Sequence, residues 1–475
     1  VSLYFLAFSI KWSIVFSDGF FATKMRQRLQ EEVFKKYLTS EWREIRELRV
    51  GDSIAVVSAQ TANVIRYFSS MVSSGFSFFY CFILIFVAFK TDFITTLSLS
   101  IVCLPLILFM RFSVAFLGRL GKKLANIVSL FSADVGDRLN GIFEVKVGNK
   151  FEFHFRKGTK IQKEYTQTEV KISILQAFIT TFNLSIPLLA ITGLLIWLLY
   201  KGGDADSFSF TSLAGISILG LRLIGQLALF NGVVSGISKF HGNLLTVKKI
   251  LDFKKDKDLK KIPERIKEIK TEDLSFSYNK NNLIINKINI KIEVGKINFI
   301  TGESGSGKST LSNLLSGLEF PKKGKVLYIG HSGKKYPSTE YKPKIGYITQ
   351  NIYIFHDTLR ENLICGSKIL DKKIWSVLKE VDADVFVRKL GGLDTLITEK
   401  GQTISGGQLR RLGIARVVLS DDDVIIFDEP TSGLDKKNKI KLLKLIGELR
   451  KKSIIILISH ENLKLPDDIV NIIYT

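Results

Sequence analysis

Along the first 240 residues, long apolar runs alternate with long charged ones. Five stretches stand out: 4–22, 68–89, 93–110, 172–200 and 208–234. As a helix each could cross roughly 30 Å of hydrocarbon, so the pattern predicts five membrane spans. Lys11 and Asp18 interrupt the first. They require a polar cavity, a partner helix or a helix end, or else make this stretch an amphipathic surface helix. Residues 23–67 and 111–171 are long and basic, whereas 90–92 and 201–207 are short. Basic segments belong on the cytoplasmic side, which leaves Val1 outside. A helix ahead of Val1 would resolve that, so the expectation is five of six helices. Apolar spacing in 25–38 and in part of 120–147 predicts that helices extend beyond the membrane. The turns near 41–48 and 151–158 are then farthest from it, as contacts for a soluble motor or as solvated charge. Pro105 and Pro187 predict kinks. Arg222, with Gln226 one turn on, either meets an anion or pairs with a residue such as Asp18.

The pattern changes after residue 240. Residues 241–265 are lysine-rich and read as a linker, and 266–475 read as a soluble domain. Short apolar runs at 297–300, 345–349, 424–427 and 454–458 alternate with helical spacing. Such runs fit strands buried on both faces of a parallel α/β sheet.

One of these strands leads into Gly302-Glu303-Ser304-Gly305-Ser306-Gly307-Lys308-Ser309, which matches G-x-x-x-x-G-K-[ST] at every fixed position. A helical run follows at 310–318. Strand, glycine loop and helix together form a phosphate cradle: backbone amides turn inward and the helix N-terminus adds its positive end. Lys308 would reach the β- and γ-phosphates and Ser309 would hold Mg²⁺.

Other positions fit the same chemistry. Asp428 and Glu429 end the apolar run 424–427, where α/β sheets bind ligands. Asp428 would orient Mg²⁺ and Glu429 would act as general base toward water. Tyr278 either stacks on adenine or is an ordinary strand aromatic. Gln350 follows 345–349 and could bind Mg²⁺ and sense the γ-phosphate. His460 follows another buried run and could touch the γ-phosphate. Ser405-Gly406-Gly407-Gln408 precedes a helical pattern and offers a second anion-binding helix start. One nucleotide needs one phosphate loop, so the second suggests service to a partner copy.

Taken in order, these motifs resemble the ATP-binding cassette (ABC) family. The matches are Tyr278 in the aromatic loop, Gly302 to Ser309 in Walker A, Gln350 in the glutamine loop and Ile404 to Gln408 in the signature motif. Asp428 and Glu429 match Walker B and its catalytic acid, Ser432 to Asp435 the D-loop, and His460 the switch histidine. The chain departs at Ile404, at Gly433, in the loop 398–401 and in an end at Thr475 without the usual final strands and helix.

The resemblance implies an α-helical polytopic membrane domain of exporter type (1–240), a linker (241–265) and an α/β P-loop ATP-binding cassette domain (266–475). It implies ATP and Mg²⁺ as cofactors. Nucleotide contacts fall on Tyr278, Gly302, Ser304, Gly305, Gly307, Lys308, Ser309, Thr310, Ser405, Gly406, Gly407 and Gln408. Metal contacts fall on Ser309, Gln350 and Asp428, and catalysis on Glu429, His460 and Gln350. The two turns correspond to coupling helices. The expected partner is a second half-transporter, as a homodimer.

The expected function is ATP-driven export or flipping of an amphipathic substrate across the bacterial inner membrane, with the ATPase domain in the cytoplasm. Residues 141–146 and the run after them are loosely similar to flippases of lipid-linked oligosaccharides, so lipid is the leading substrate. Multidrug or peptide export, or an ATP-gated channel, are the alternatives. Short external loops leave no dock for a periplasmic binding protein. The net charge of +23 fits basic loops, and without long coiled coils it does not indicate nucleic acid. Cys81, Cys103 and Cys365 form no metal or disulfide pattern.

Overall fold

The computed structural model describes residues 2–91, 93–200, 236–237, 239–278, 283–303, 305–350, 352–397, 404–431, 436–459 and 470–474. The chain divides into two compact units, 1–256 and 257–475.

The first unit is helical. Long helices span Ser2–Thr39, Thr61–Thr91, Phe93–Asn140 and Phe151–Tyr200. Phe93–Asn140 packs along Phe151–Tyr200, with Leu117, Leu124, Ile172 and Ile179 buried together. A second cluster joins Val33, Val56 and Val64 to Val247 and Ile250 on a helix over 239–251 and to Phe253 just beyond it. Short helices, Trp42–Ile45 and Ile142–Val147, sit between the long ones. The turn expected at 151–158 falls earlier, because 151–158 is already the start of a helix. Gly148 ends the short helix and Asn149 takes φ 50°, a conformation that asparagine tolerates better than most residues.

The expected polytopic membrane domain is corrected by these helices. Among the described residues, no helix is long and apolar enough to cross a membrane. The apolar runs belong to helices in which polar groups recur. Thr61–Thr91 contains Ser69, Ser70, Ser73, Ser74 and Ser77. Phe93–Asn140 continues through Arg111, Arg119, Lys122 and Lys123. Phe151–Tyr200 opens with Glu152, Arg156, Lys157, Lys160 and Lys163. The expectations of export or flipping across the bacterial inner membrane, and of a multi-pass location there, are corrected with it. The stretch 208–234, with Arg222 and Gln226, lies outside the described residues.

The second unit is built on a five-stranded parallel sheet. Its order is Val470–Tyr474, Ile297–Thr301, Ile454–Ile458, Val424–Asp428, Ile345–Ile348. Alternation along each strand divides two cores. Val424, Ile426, Ile454, Ile456 and Ile458 share a cluster with Ile266, Ile269 and Tyr328 of an antiparallel sheet. Ile425, Phe427, Ile455 and Leu457 face Leu359, Leu378, Leu412 and Ala415 on helices. Both faces of these two central strands are therefore dry, which explains why 424–427 and 454–458 are apolar at every position. Val470–Tyr474 is a final strand that the sequence reading did not expect. Its five residues are too short to stand out alone, and pairing with Ile297–Thr301 makes them an edge.

Candidate functional site

Parallel strands deliver their C-terminal ends to one rim of the sheet, and the glycine loop, Asp428 and the segment leading to Gln350 follow from those ends. Ile297–Thr301 leads into the glycine loop. Gly305 and Gly307 take φ 86° and 100°, in the left-handed region that favours glycine. Gly307 also caps the helix Lys308–Leu315, and a Cβ there would stand 2.9 Å from Cγ2 of Ile284. Both its conformation and its surroundings therefore require glycine.

Lys308 is buried, at 7% exposure. Its Nζ donates to the carbonyls of Gly302, at 3.0 Å, and Glu303, at 2.7 Å, folding the cation onto its own loop. Ser309 is exposed on the first turn and Thr310 is buried. The Tyr278 hydroxyl lies 3.4 Å from Thr310 Oγ1, and its ring stands edge-on to Phe276 with centroids 4.9 Å apart. The fold thus brings Tyr278 to the phosphate-loop helix. Ser304 lies outside the described residues.

Asp428 ends its strand. Glu429 follows at φ 51°, and its N–H donates to the carbonyl of Ile458 at 2.9 Å. A non-glycine residue in this conformation carries local strain, held here by the neighbouring strand. Gln350 is exposed two residues beyond Ile345–Ile348. His460, the loop 432–435 and the loop 398–401 lie outside the described residues.

Ser405 caps the helix Gly406–Ser420. Its hydroxyl accepts the Gln408 N–H at 3.3 Å, and Gln408 Oε1 accepts the Ser405 N–H at 2.9 Å. Gly406 and Gly407 are exposed. This helix packs against Leu359–Ile364 and Asp371–Glu380. Among the described residues, no hydrogen bond joins Ser405, Gly406, Gly407 or Gln408 to the phosphate loop.

Two residues at the rim escaped the sequence reading. Tyr347 donates to Asp428 Oδ2 at 3.4 Å and accepts from Ser312 Oγ at 3.0 Å. Burial, helped by the Asp428 charge and opposed by the Ser312 bond, pushes the Tyr347 hydroxyl up to about 12. It is a proton donor at neutral pH. A tyrosine in an otherwise aliphatic strand, three residues before Gln350, was the available signal. Arg416 is the second, donating to the carbonyls of Asn362 at 2.7 Å and Tyr353 at 3.2 Å. It ties the signature helix to the segment after Gln350.

The donor set fits a hard cation. Ser309, Gln350 and Asp428 offer oxygen, and Mg²⁺ prefers one or two carboxylates completed by phosphate and water. Among the described residues, no group of three or more His, Cys, Asp or Glu could hold a metal.

Two family patterns match the chain. The one described as ABC transporter covers residues 285–432, and the one described as ABC transporter transmembrane region covers 1–221. The chain belongs to the ABC transporter family. Its likeness to the transmembrane-region pattern is carried by a helical unit in which no described helix is long and apolar enough to cross a membrane.

Among ABC transporter relatives, an uncharacterized ABC transporter ATP-binding protein of Haemophilus influenzae is 26% identical, over 96% of this chain and 82% of that protein. An ATP-dependent lipid A-core flippase of Wigglesworthia glossinidia brevipalpis is 28% identical, over 72% of this chain and 60% of that protein. The solved structure of a bacterial Atm1-family ABC exporter with ATP bound superposes with a TM-score of 0.81. It is 19% identical and covers 96% of this chain and 81% of that one, which shows a shared fold. As an ABC transporter with a Walker A-bearing domain, the protein binds ATP and is an ATP hydrolase.

Proposed function

We propose that this protein hydrolyses ATP between paired cassettes, the phosphate loop of one copy and the Ser405–Gln408 loop of a second copy holding each nucleotide. The observation that carries this reading is the separation of two anion-binding loops in one domain. Lys308 lies within one loop, and the Ser405-capped helix is packed elsewhere.

Binding exchanges the Gly302 and Glu303 carbonyls at Lys308 for β- and γ-phosphate oxygens. The amides of Gly305 and Gly307 and the start of the Lys308 helix face the same charge, with Ser304 and Thr310 completing the cradle. Tyr278 offers its ring to the adenine. Glu429 accepts a proton from water as that oxygen bonds to the γ-phosphorus. The bond to the β–γ bridging oxygen breaks and ADP leaves. Gln350 and His460 orient the water and the γ-phosphate. Ser309, Gln350 and Asp428 would hold Mg²⁺, which when bound offsets phosphate charge.

Mixing two defective chains tests the pairing. Lys308→Ala and Ser405→Arg, each alone, should give little turnover. Co-expressed at equal levels, they should recover about a quarter of the wild-type rate. Half of the pairs are then mixed, and each mixed pair keeps one of its two composite sites. A mixture as inactive as its parents contradicts the shared site.

A further inference from the structure

Behind the site, buried Ser312 and the half-buried Tyr347 and Asp428 form a polar chain that nothing in the motif reading requires. Ser312 is fully buried and lies one helical turn after Lys308, on the same face of the helix. Its hydroxyl donates to the Tyr347 hydroxyl at 3.0 Å, and Tyr347 donates in turn to Asp428 Oδ2 at 3.4 Å. Sheet register explains the meeting. Tyr347 stands opposite Ile426 on the adjacent parallel strand, and Asp428 is two residues further along, on the same face as Ile426.

We infer that Tyr347 is a positioning residue for hydrolysis, fixing the orientation of the Asp428 carboxylate from behind and linking it to the phosphate-loop helix through Ser312.

Three observations support this. The alternating pattern would accept an aliphatic side chain at 347, and the neighbouring positions Ile345 and Ile348 have one. Tyr347 is half-buried, and a hydroxyl drawn partly out of water is costly without partners; this one has both an acceptor and a donor. The bond engages Oδ2 of Asp428 directly, at the carboxylate that would meet the cation. Hydrogen bonds behind a metal-ligating carboxylate set its orientation, and losing one costs about 10- to 100-fold in metal affinity or activity. The distance of 3.4 Å is long for a hydroxyl–carboxylate bond. Nucleotide binding should shorten it, as catalytic hydrogen bonds commonly tighten in the loaded complex.

The inference rests on Asp428 receiving the cation. Mn²⁺ is the probe, measured by electron paramagnetic resonance on the full chain carrying Glu429→Gln and saturated with ATP. In that background Tyr347→Phe removes one oxygen and keeps the ring. It should weaken Mn²⁺ by about tenfold and broaden its signal, while metal-free ATP binding stays unchanged. With Glu429 intact, excess Mg²⁺ should restore much of the turnover lost in Tyr347→Phe. Ser312→Ala should show the same pattern more weakly. Thermal melting separates these effects from loss of fold.

Asp428→Asn is the control for the underlying reading. If it binds Mn²⁺ as tightly as its parent, the metal assignment to Asp428 fails. If it loses Mn²⁺ while Tyr347→Phe keeps the parent affinity and line shape, the positioning role alone is overturned. A Tyr347→Phe chain that melts lower but binds Mn²⁺ normally also overturns it, since packing would then be the residue's whole contribution.

Discussion

Glu429→Gln should lower ATP turnover by roughly 10²- to 10⁴-fold and leave ATP binding intact. The amide keeps the size of the carboxylate but cannot accept a proton from water. The backbone makes this position specific. Glu429 sits at φ 51°, and its N–H is held by Ile458 at 2.9 Å, so the side chain starts from a fixed point at the end of the Asp428 strand. A neighbouring acid could not easily take over, because Asp428 is tied to Tyr347. Phosphate release, with nucleotide binding measured in parallel, separates the two effects. Unchanged turnover would remove Glu429 from the chemistry, and lost binding would make it a structural residue.

Lys308→Ala should instead weaken ATP itself, by about 10²-fold. A hydrogen bond to a charged group is worth about 1.5–3 kcal/mol, and about 1.4 kcal/mol is a factor of ten in affinity. The lysine is buried and already satisfied by the carbonyls of Gly302 and Glu303. Removing it therefore also frees two loop carbonyls, so the loop should be less ordered in the variant. Equilibrium binding of a fluorescent ATP analogue measures the loss. Binding equal to wild type would show that the cation does not reach the phosphates.

These positions were legible in the sequence because their chemistry is local. Gly305, Gly307 and Lys308 lie within four residues, and each is forced by backbone conformation or charge. The parallel strands were legible because both faces are buried, which turns alternation into runs such as Ile454–Ile458. Tyr347 was not legible, since its meaning depends on register with Asp428, 81 residues away in sequence. Val470–Tyr474 was hidden for a similar reason: five residues declare themselves a strand only beside Ile297–Thr301. The helical unit shows the opposite error. Apolar runs were read as spans, but Phe93–Asn140 and Phe151–Tyr200 are single helices of 48 and 50 residues with charged halves. The continuation of helices past the apolar runs was legible in the apolar spacing of 25–38 and 120–147; what the runs did not reveal is that, among the described residues, no helix is long and apolar enough to cross a membrane.

The most direct test of the nucleotide site is photolabelling of the full chain with 8-azido-ATP, followed by peptide mapping. The label should fall on the peptide that contains Tyr278, disappear with excess ATP, and be absent in Lys308→Ala. Label in the first unit, or label that ATP does not displace, would contradict a site built from the phosphate loop and the Asp428–Glu429 strand end.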